Sequence, residues 1–189
     1  MNKVLISILF LATVLSLSHP VAGQAGSNSL DNQLLKAAEK SDAATVQQLL
    51  NKGANIEAKD RIIGETALII AAEDGNTDVV RLLLANGAKI EVRDNLTGST
   101  ALNQAAYNGK TDAVKLLLAK GANIEARDND GNTSLMGAAE EGHTEVVKLL
   151  LAKGANIDAK DNKGETALTI AIGKGNAEVV NLLREHGAH

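Results

Sequence analysis

The chain has 189 residues, of which 44% are hydrophobic and 22% charged, with a formal net charge of −4. That composition suits a soluble globular protein and supplies enough apolar side chain for one continuous core. A mildly acidic chain without a basic patch argues against nucleic acid as a partner, and with no cysteine there is neither a disulfide framework nor a thiolate metal site or nucleophile.

The chain opens on Met1-Asn2-Lys3, followed by an apolar run from Val4 to Ser18, a break at His19-Pro20 and small residues at Val21-Ala22-Gly23. That order is the order of a secretory signal peptide, 1–23, cleaved after Gly23 or, as a second choice, after Ala25. An uncleaved anchor is the alternative, but the run is shorter than the ~20 apolar residues a spanning helix needs. Export to the periplasm or the medium is expected, with no stable membrane span after cleavage. Residues 24–30, QAGSNSL, have no hydrophobic period and read as a polar linker.

From 31 to 189 the chain repeats itself every 33 to 34 residues, and such a period decides an architecture before any local reading does. The cleanest copy is DNDGNTSLMGAAEEGHTEVVKLLLAKGANIDAK, beginning at Asp128. Copies begin also at Asp60, Asp94 and Asp161, and a worn one runs from Asn32 to Lys59. Units are expected at about 31–59, 60–93, 94–127, 128–160 and 161–189. Thirteen of the 17 glycines fall at three recurring places, in a turn (as at Gly64) and after each of two short helices (as at Gly75 and Gly87). Thr66, Thr100, Thr133 and Thr166 stand where a helix N-cap belongs. The spacing predicts an inner helix over about Ala67 to Asp74 and an outer one over about Thr77 to Asn86, with Asp or Glu in the first turn of the latter. Val79-Val80 and Leu82-Leu83-Leu84 cover more than one helix face, so no unit can stand alone. Outside the first 23 residues Tyr107 is the only aromatic side chain. The core must therefore come from Leu, Ala, Ile and Val, which suits closely stacked helices. The Leu triplet gives way to Gln48-Leu49-Leu50 in the first unit and Leu182-Leu183-Arg184 in the last, as polar terminal capping repeats require.

Gly-x-Thr-Ala-Leu, then Ala-Ala-x-x-Gly, then Val-Val-x-Leu-Leu-Leu-x-x-Gly-Ala-Asn-Ile resembles the ankyrin-repeat family. The resemblance implies an all-α solenoid of five stacked helix–turn–helix units with projecting hairpin fingers. It also implies a protein partner gripped on a concave strip made of finger tips and inner helices. The chain departs from the family at Thr-Pro-Leu-His, which here is Thr-Ala-Leu-Ile, Thr-Ala-Leu-Asn, Thr-Ser-Leu-Met and Thr-Ala-Leu-Thr. Loss of the proline should weaken each inner helix slightly. Loss of the histidine should remove a hydrogen-bonding group that the family uses between neighbouring units.

The pattern carries little reactive chemistry. His143, in Gly-His-Thr-Glu, starts the second helix as the family does, and no nucleophile elbow, phosphate loop or metal-spaced His pair appears. Adjacent acids such as Glu73-Asp74 and Glu140-Glu141 point apart on a helix. Asp128-Asn129-Asp130-Gly131 opens like a calcium loop, but it lacks the third spaced acid and has Ala139 at the bidentate position, so a turn is expected. Asn95-Leu96-Thr97 and Asn132-Thr133-Ser134 fit a glycosylation sequon. No catalytic residue, metal or cofactor is expected, and the chain is read as a monomer that is not an enzyme.

Partner binding is expected at Arg61, Ile62, Ile63, Glu73, Asp74, Leu96, Tyr107, Asn108, Asp130, Glu140, Glu141 and Lys174. Fingers two and three carry one extra residue and aliphatic tips, and Tyr107 lies at the middle of the strip. In one reading Ile62, Ile63, Leu96 and Tyr107 anchor a partner that the acids select. In the plainer one the aliphatics fold back on neighbouring fingers and Tyr107 covers a helix end. Three functions stay open: an exported protein-binding module, which the pattern favours; a membrane-tethered scaffold or an inhibitor masking an enzyme surface; and an enzyme with an unrecognised site.

Overall fold

A computed structural model of the chain describes residues 25–189, and the expected signal peptide, 1–23, lies outside the described residues. The described residues form ten α-helices in five pairs. The inner helices are α1 (Ala25–Glu39), α3 (Ala67–Asp74), α5 (Ala101–Tyr107), α7 (Ser134–Glu141) and α9 (Ala167–Lys174). The outer ones are α2 (Ala43–Asn51), α4 (Thr77–Ala85), α6 (Thr111–Ala119), α8 (Thr144–Ala152) and α10 (Ala177–Glu185). Each inner helix packs on its own outer partner and on the inner helices before and after it. No strand forms among the described residues, and one isolated antiparallel bridge joins Lys59 to Thr66. The fold is thus the all-helical solenoid expected from the period. The start of α1 differs from expectation. The polar stretch 24–30 is expected as a linker, yet the helix begins at Ala25; no proline stands between that point and the apolar Leu34-Leu35, and Gly26 lies in the first turn.

The helix ends follow from individual residues. Thr66, Thr100, Thr133 and Thr166 sit in extended backbone and accept a hydrogen bond from the third residue of each inner helix, as an N-cap should. Gly75 closes α3 in the left-handed conformation, φ +80°, where a side chain would crowd the backbone. The equivalent residue in the first unit is Ser41, the one non-glycine with positive φ (58°) among the described residues.

The core is a continuous seam of small and branched aliphatics. Ala71, Ala72, Ala105, Ala106, Ala138, Ala139 and Ala171 are fully buried on the inner helices, so neighbouring inner helices meet over methyl groups. The outer helices contribute Val79, Val80 and Leu83 and their equivalents. Of the Leu triplet only the central residue is fully buried, and its flanks pack half-exposed against the same core. Each completely buried leucine contributes roughly 1.5–3 kcal/mol, and each draws that from its neighbours on both sides.

Polar side chains then lash each unit to the next. Glu57, Glu91 and Glu125 each accept a backbone N–H from the following unit, at Lys89 (2.7 Å), Asn123 (2.8 Å) and Asn156 (2.8 Å). Lys59 reaches the carbonyl of Arg93 (2.7 Å), Arg93 that of Arg127, and Arg127 that of Lys160 (2.5 Å). Ahead of α4 and α10 the side chain reaches back the other way: Asn76 donates to Ala38 O (2.9 Å), and Asn176 to Ala139 O and Glu140 O (both 2.8 Å). His143 Nε2 lies 3.0 Å from Tyr107 O, so this nitrogen carries the proton. These residues consequently leave their own helices without a side-chain cap. In the first unit no earlier inner helix stands among the described residues, and Asp42, at the same position, caps its own helix through Thr45 N (2.9 Å).

One expectation from the departures is corrected. Thr-Ala-Leu-Asn does not leave unit three without a tie to its neighbour. Asn103 is buried, donates to Ala126 O (3.1 Å) and Ser134 Oγ (3.2 Å), and accepts from Thr100 N (3.0 Å). The Asn103 amide thus makes a bond to the next unit at the position where one was expected to be lost. The last unit also exposes an aliphatic that the polar-cap expectation overlooked. Ile172 is 50% exposed; it occupies the position of Ala72, Ala106 and Ala139, and among the described residues no further inner helix packs over it.

The left-handed serine is a test of these local rules. Ser41→Gly should raise the stability of the chain by about 1 kcal/mol, because a left-handed non-glycine residue is strained by roughly that much. Gly64→Ala should lower it, since φ there is +77° and the new Cβ would lie 2.2 Å from Asn95 Nδ2. Urea denaturation of both variants reads the two signs.

Candidate functional site

Each finger is a short hairpin built round an aspartate. Asp60, Asp94, Asp128 and Asp161 each pair one backbone rung, for example Asp60 N to Glu65 O at 2.9 Å and Asp94 N to Ser99 O at 3.0 Å. Their carboxylates accept the N–H groups of the turn, as Asp128 does from Asp130 N (2.9 Å) and Asn132 N (2.8 Å). The segment that opens like a calcium loop is therefore a turn, as expected, with its first carboxylate engaged by the chain's own backbone. Successive fingers are joined through the main chain: Asn95 N to Ile63 O (2.8 Å), Asn129 N to Thr97 O (2.8 Å) and Asn162 N to Asp130 O (3.0 Å). Both sequon asparagines are engaged, Asn95 with Lys59 Nζ (2.8 Å) and Asn132 with Asp128 (3.1 Å).

The finger aliphatics do not all behave alike. Ile62 is 74% and Leu96 51% exposed, while Ile63 is half-buried. Arg61 is exposed beside them.

On the inner-helix side two adjoining clefts open between units three, four and five. The first, about 230 Å³, is lined by Tyr107, Gln104, Gly137, Asp128, Asp130 and Glu140 among others. The second, about 380 Å³, shares Asp130, Asn132 and Glu140 with it and adds Asp161, Glu165, Lys163 and Lys174. Of the expected partner-binding residues, the structure thus brings Tyr107, Asp130, Glu140 and Lys174 together. Ile62, Ile63 and Leu96 line neither cleft. Asn108 is turned to local work, donating to Gln104 O (2.9 Å) at the end of α5. Gln104 and Gly137 lie on the cleft although neither was expected there. The available signal was their column, which holds Ile70 and Ile170 in units two and five.

Charge at this face is strongly negative. Burial, with the nearby Glu73 and Glu39 carboxylates, pushes the Asp74 carboxyl above its usual range. Lys174 Nζ lies 2.8 Å from Glu140, and that bond raises the ammonium's pKa. Tyr107 is pushed up to about 12, first by burial, then by its hydrogen bond to Glu141 and the negative charge of Glu141 and Glu140. No cluster of three or more potential metal ligands occurs among the described residues. Open, acid-lined clefts with one aromatic side chain can hold a partner's surface by contact and charge.

The family model for ankyrin repeats (3 copies) matches residues 34–128 and again 105–189. The chain belongs to the ankyrin-repeat family, whose repeats point to a protein–protein interaction module with a protein partner. No curated protein matches the chain.

Tyr107 is the only tyrosine and there is no tryptophan, so ultraviolet titration near 295 nm follows this one hydroxyl. A midpoint near 12 is expected, moving toward the ordinary value of about 10 in Glu141→Gln. Because the folded value is raised, whatever stability the neutral phenol contributes is present below pH 10 and is lost as pH rises through the folded value. A wild-type midpoint at the ordinary value would mean that Tyr107 stands free of Glu141.

Proposed function

We propose that this chain is a non-catalytic interaction module that acts outside the cytoplasm and binds a protein partner with its finger and inner-helix face. The observation that carries this reading is the placement of the one tyrosine, half-buried in an acid-lined cleft at the middle of the stack. Half-buried aromatics ringed by polar groups are where binding energy concentrates in interfaces. The exposed Ile62 and Leu96 on fingers two and three supply apolar contact, and Glu73, Asp74, Glu140 and Glu141 favour a basic or polar partner surface. A non-catalytic role is supported by membership of the ankyrin-repeat family, whose repeats generally serve as interaction modules. Action outside the cytoplasm is supported by the order of residues 1–23 and by a cysteine-free chain that folds without redox help. Among the described residues no helix is long and apolar enough to cross a membrane.

Two measurements test the reading. Edman sequencing of material recovered outside the cytoplasm should begin at Gln24, and recovery of Met1 there would overturn export by cleavage. For binding, a partner captured by the wild-type chain should lose affinity by about tenfold or more with Tyr107→Ala and less with Ile62→Ser. Unchanged affinity in both variants would remove this face from the interaction.

A further inference from the structure

Units two to five place Ile70, Gln104, Gly137 and Ile170 at the same inner-helix position. Unit four therefore lacks a side chain where two others carry an isoleucine, and the 230 Å³ cleft is the space left. One wall is Tyr107, since a Cβ built on Gly137 would lie 3.6 Å from Tyr107 Cβ and 3.7 Å from its Cδ2. At the floor is the amide of Gln104, only 2% exposed. Asp128, Asp130 and Glu140 form the rim. Asp128 spends its oxygens on the turn, but its charge remains. A cation already sits at this rim: the ammonium of Lys174, 2.8 Å from Glu140 Oε1.

We propose that the notch over Gly137 receives an arginine side chain of the partner protein. The proposal rests on the reading that this face binds a protein, and it names the group bound. An anion is repelled by three carboxylates, and an apolar side chain would take their charge out of water without offering a counter-charge. A lysine could meet one carboxylate as a point charge, as Lys174 does. A guanidinium can do more at once, laying its plane on the tyrosine ring while its fork of donors meets carboxylates on two sides. Lys174 then acts as an internal competitor, holding Glu140 until the partner's arginine replaces it.

The test titrates the full chain, by amide NMR, with the blocked peptide acetyl-Gly-Ser-Arg-Ser-Gly-amide and with twins carrying citrulline or lysine in place of arginine. Saturable shifts confined to the amides around Gln104, Tyr107, Gly137 and Glu140 are expected with arginine. The citrulline and lysine twins should bind about tenfold more weakly, because one lacks the charge and the other the fork. Gly137→Leu fills the notch without altering charge and should abolish the saturable shift. Asp130→Asn, at an exposed carboxylate, should weaken binding and serves if the leucine variant does not fold. Lys174→Gln should strengthen it, whereas Lys115→Gln, the same charge change at an exposed position on outer helix α6, should leave it unchanged. Equal binding of the citrulline twin, shifts spread over the surface, or unaltered binding by Gly137→Leu and Asp130→Asn would overturn the proposal. If a partner captured as above is insensitive to Gly137→Leu yet lost with Ile62→Ser, the notch assignment fails while the interaction module stands.

Discussion

The structure depends on the close approach of successive inner helices over alanine. A larger residue at Ala71, Ala105 or Ala138 would push neighbours apart, and every other tie between units has a reach set by that spacing. Lys59, Arg93 and Arg127 reach the next carbonyl, and Glu57, Glu91 and Glu125 the next N–H, only because consecutive units repeat at one separation. Helices of seven to nine residues, as α3 to α10 are, are marginal alone in water. Their stability belongs to the interfaces, in the manner of a one-dimensional array.

The site is a by-product of the same seam. Once the inner helices are fixed, whatever residue faces away from the outer helices lines a strip, and the strip's character changes wherever the column changes. Ile70 and Ile170 keep it apolar and half-filled, Gln104 makes it polar, and Gly137 empties it. Tyr107 beside that gap and the carboxylates at the finger bases concentrate aromatic surface and negative charge at the middle of the stack.

The architecture was legible because the signals that define it are local and repeated. Threonine caps, glycine stops and leucine runs each recur at one interval, and the helices fall where those residues put them. What escaped the sequence depends on residues some 23 to 38 positions apart. Asn103 looked like a lost contact, because its tie to Ser134 exists only after units three and four stack. His143, expected as an ordinary helix start, is also the link to the Tyr107 carbonyl. Gly137 and Gln104 were passed over since a missing side chain leaves no mark in a pattern of expected ones. Tyr107, Asp130, Glu140 and Lys174 could be placed on one strip from the repeat alone, but not the bond between Glu140 and Lys174 that joins two units.

The joints between fingers leave one position outside the lashing. Each joint runs from the residue after the finger's aspartate to the carbonyl of the residue just before the previous finger's glycine. The additional residue in fingers two and three bulges out between these fixed points, and there Ile62 and Leu96 stand in water. Loop length and tip identity can therefore drift without disturbing the stack, giving the scaffold a place where evolution can rewrite selectivity while the framework stays as it is.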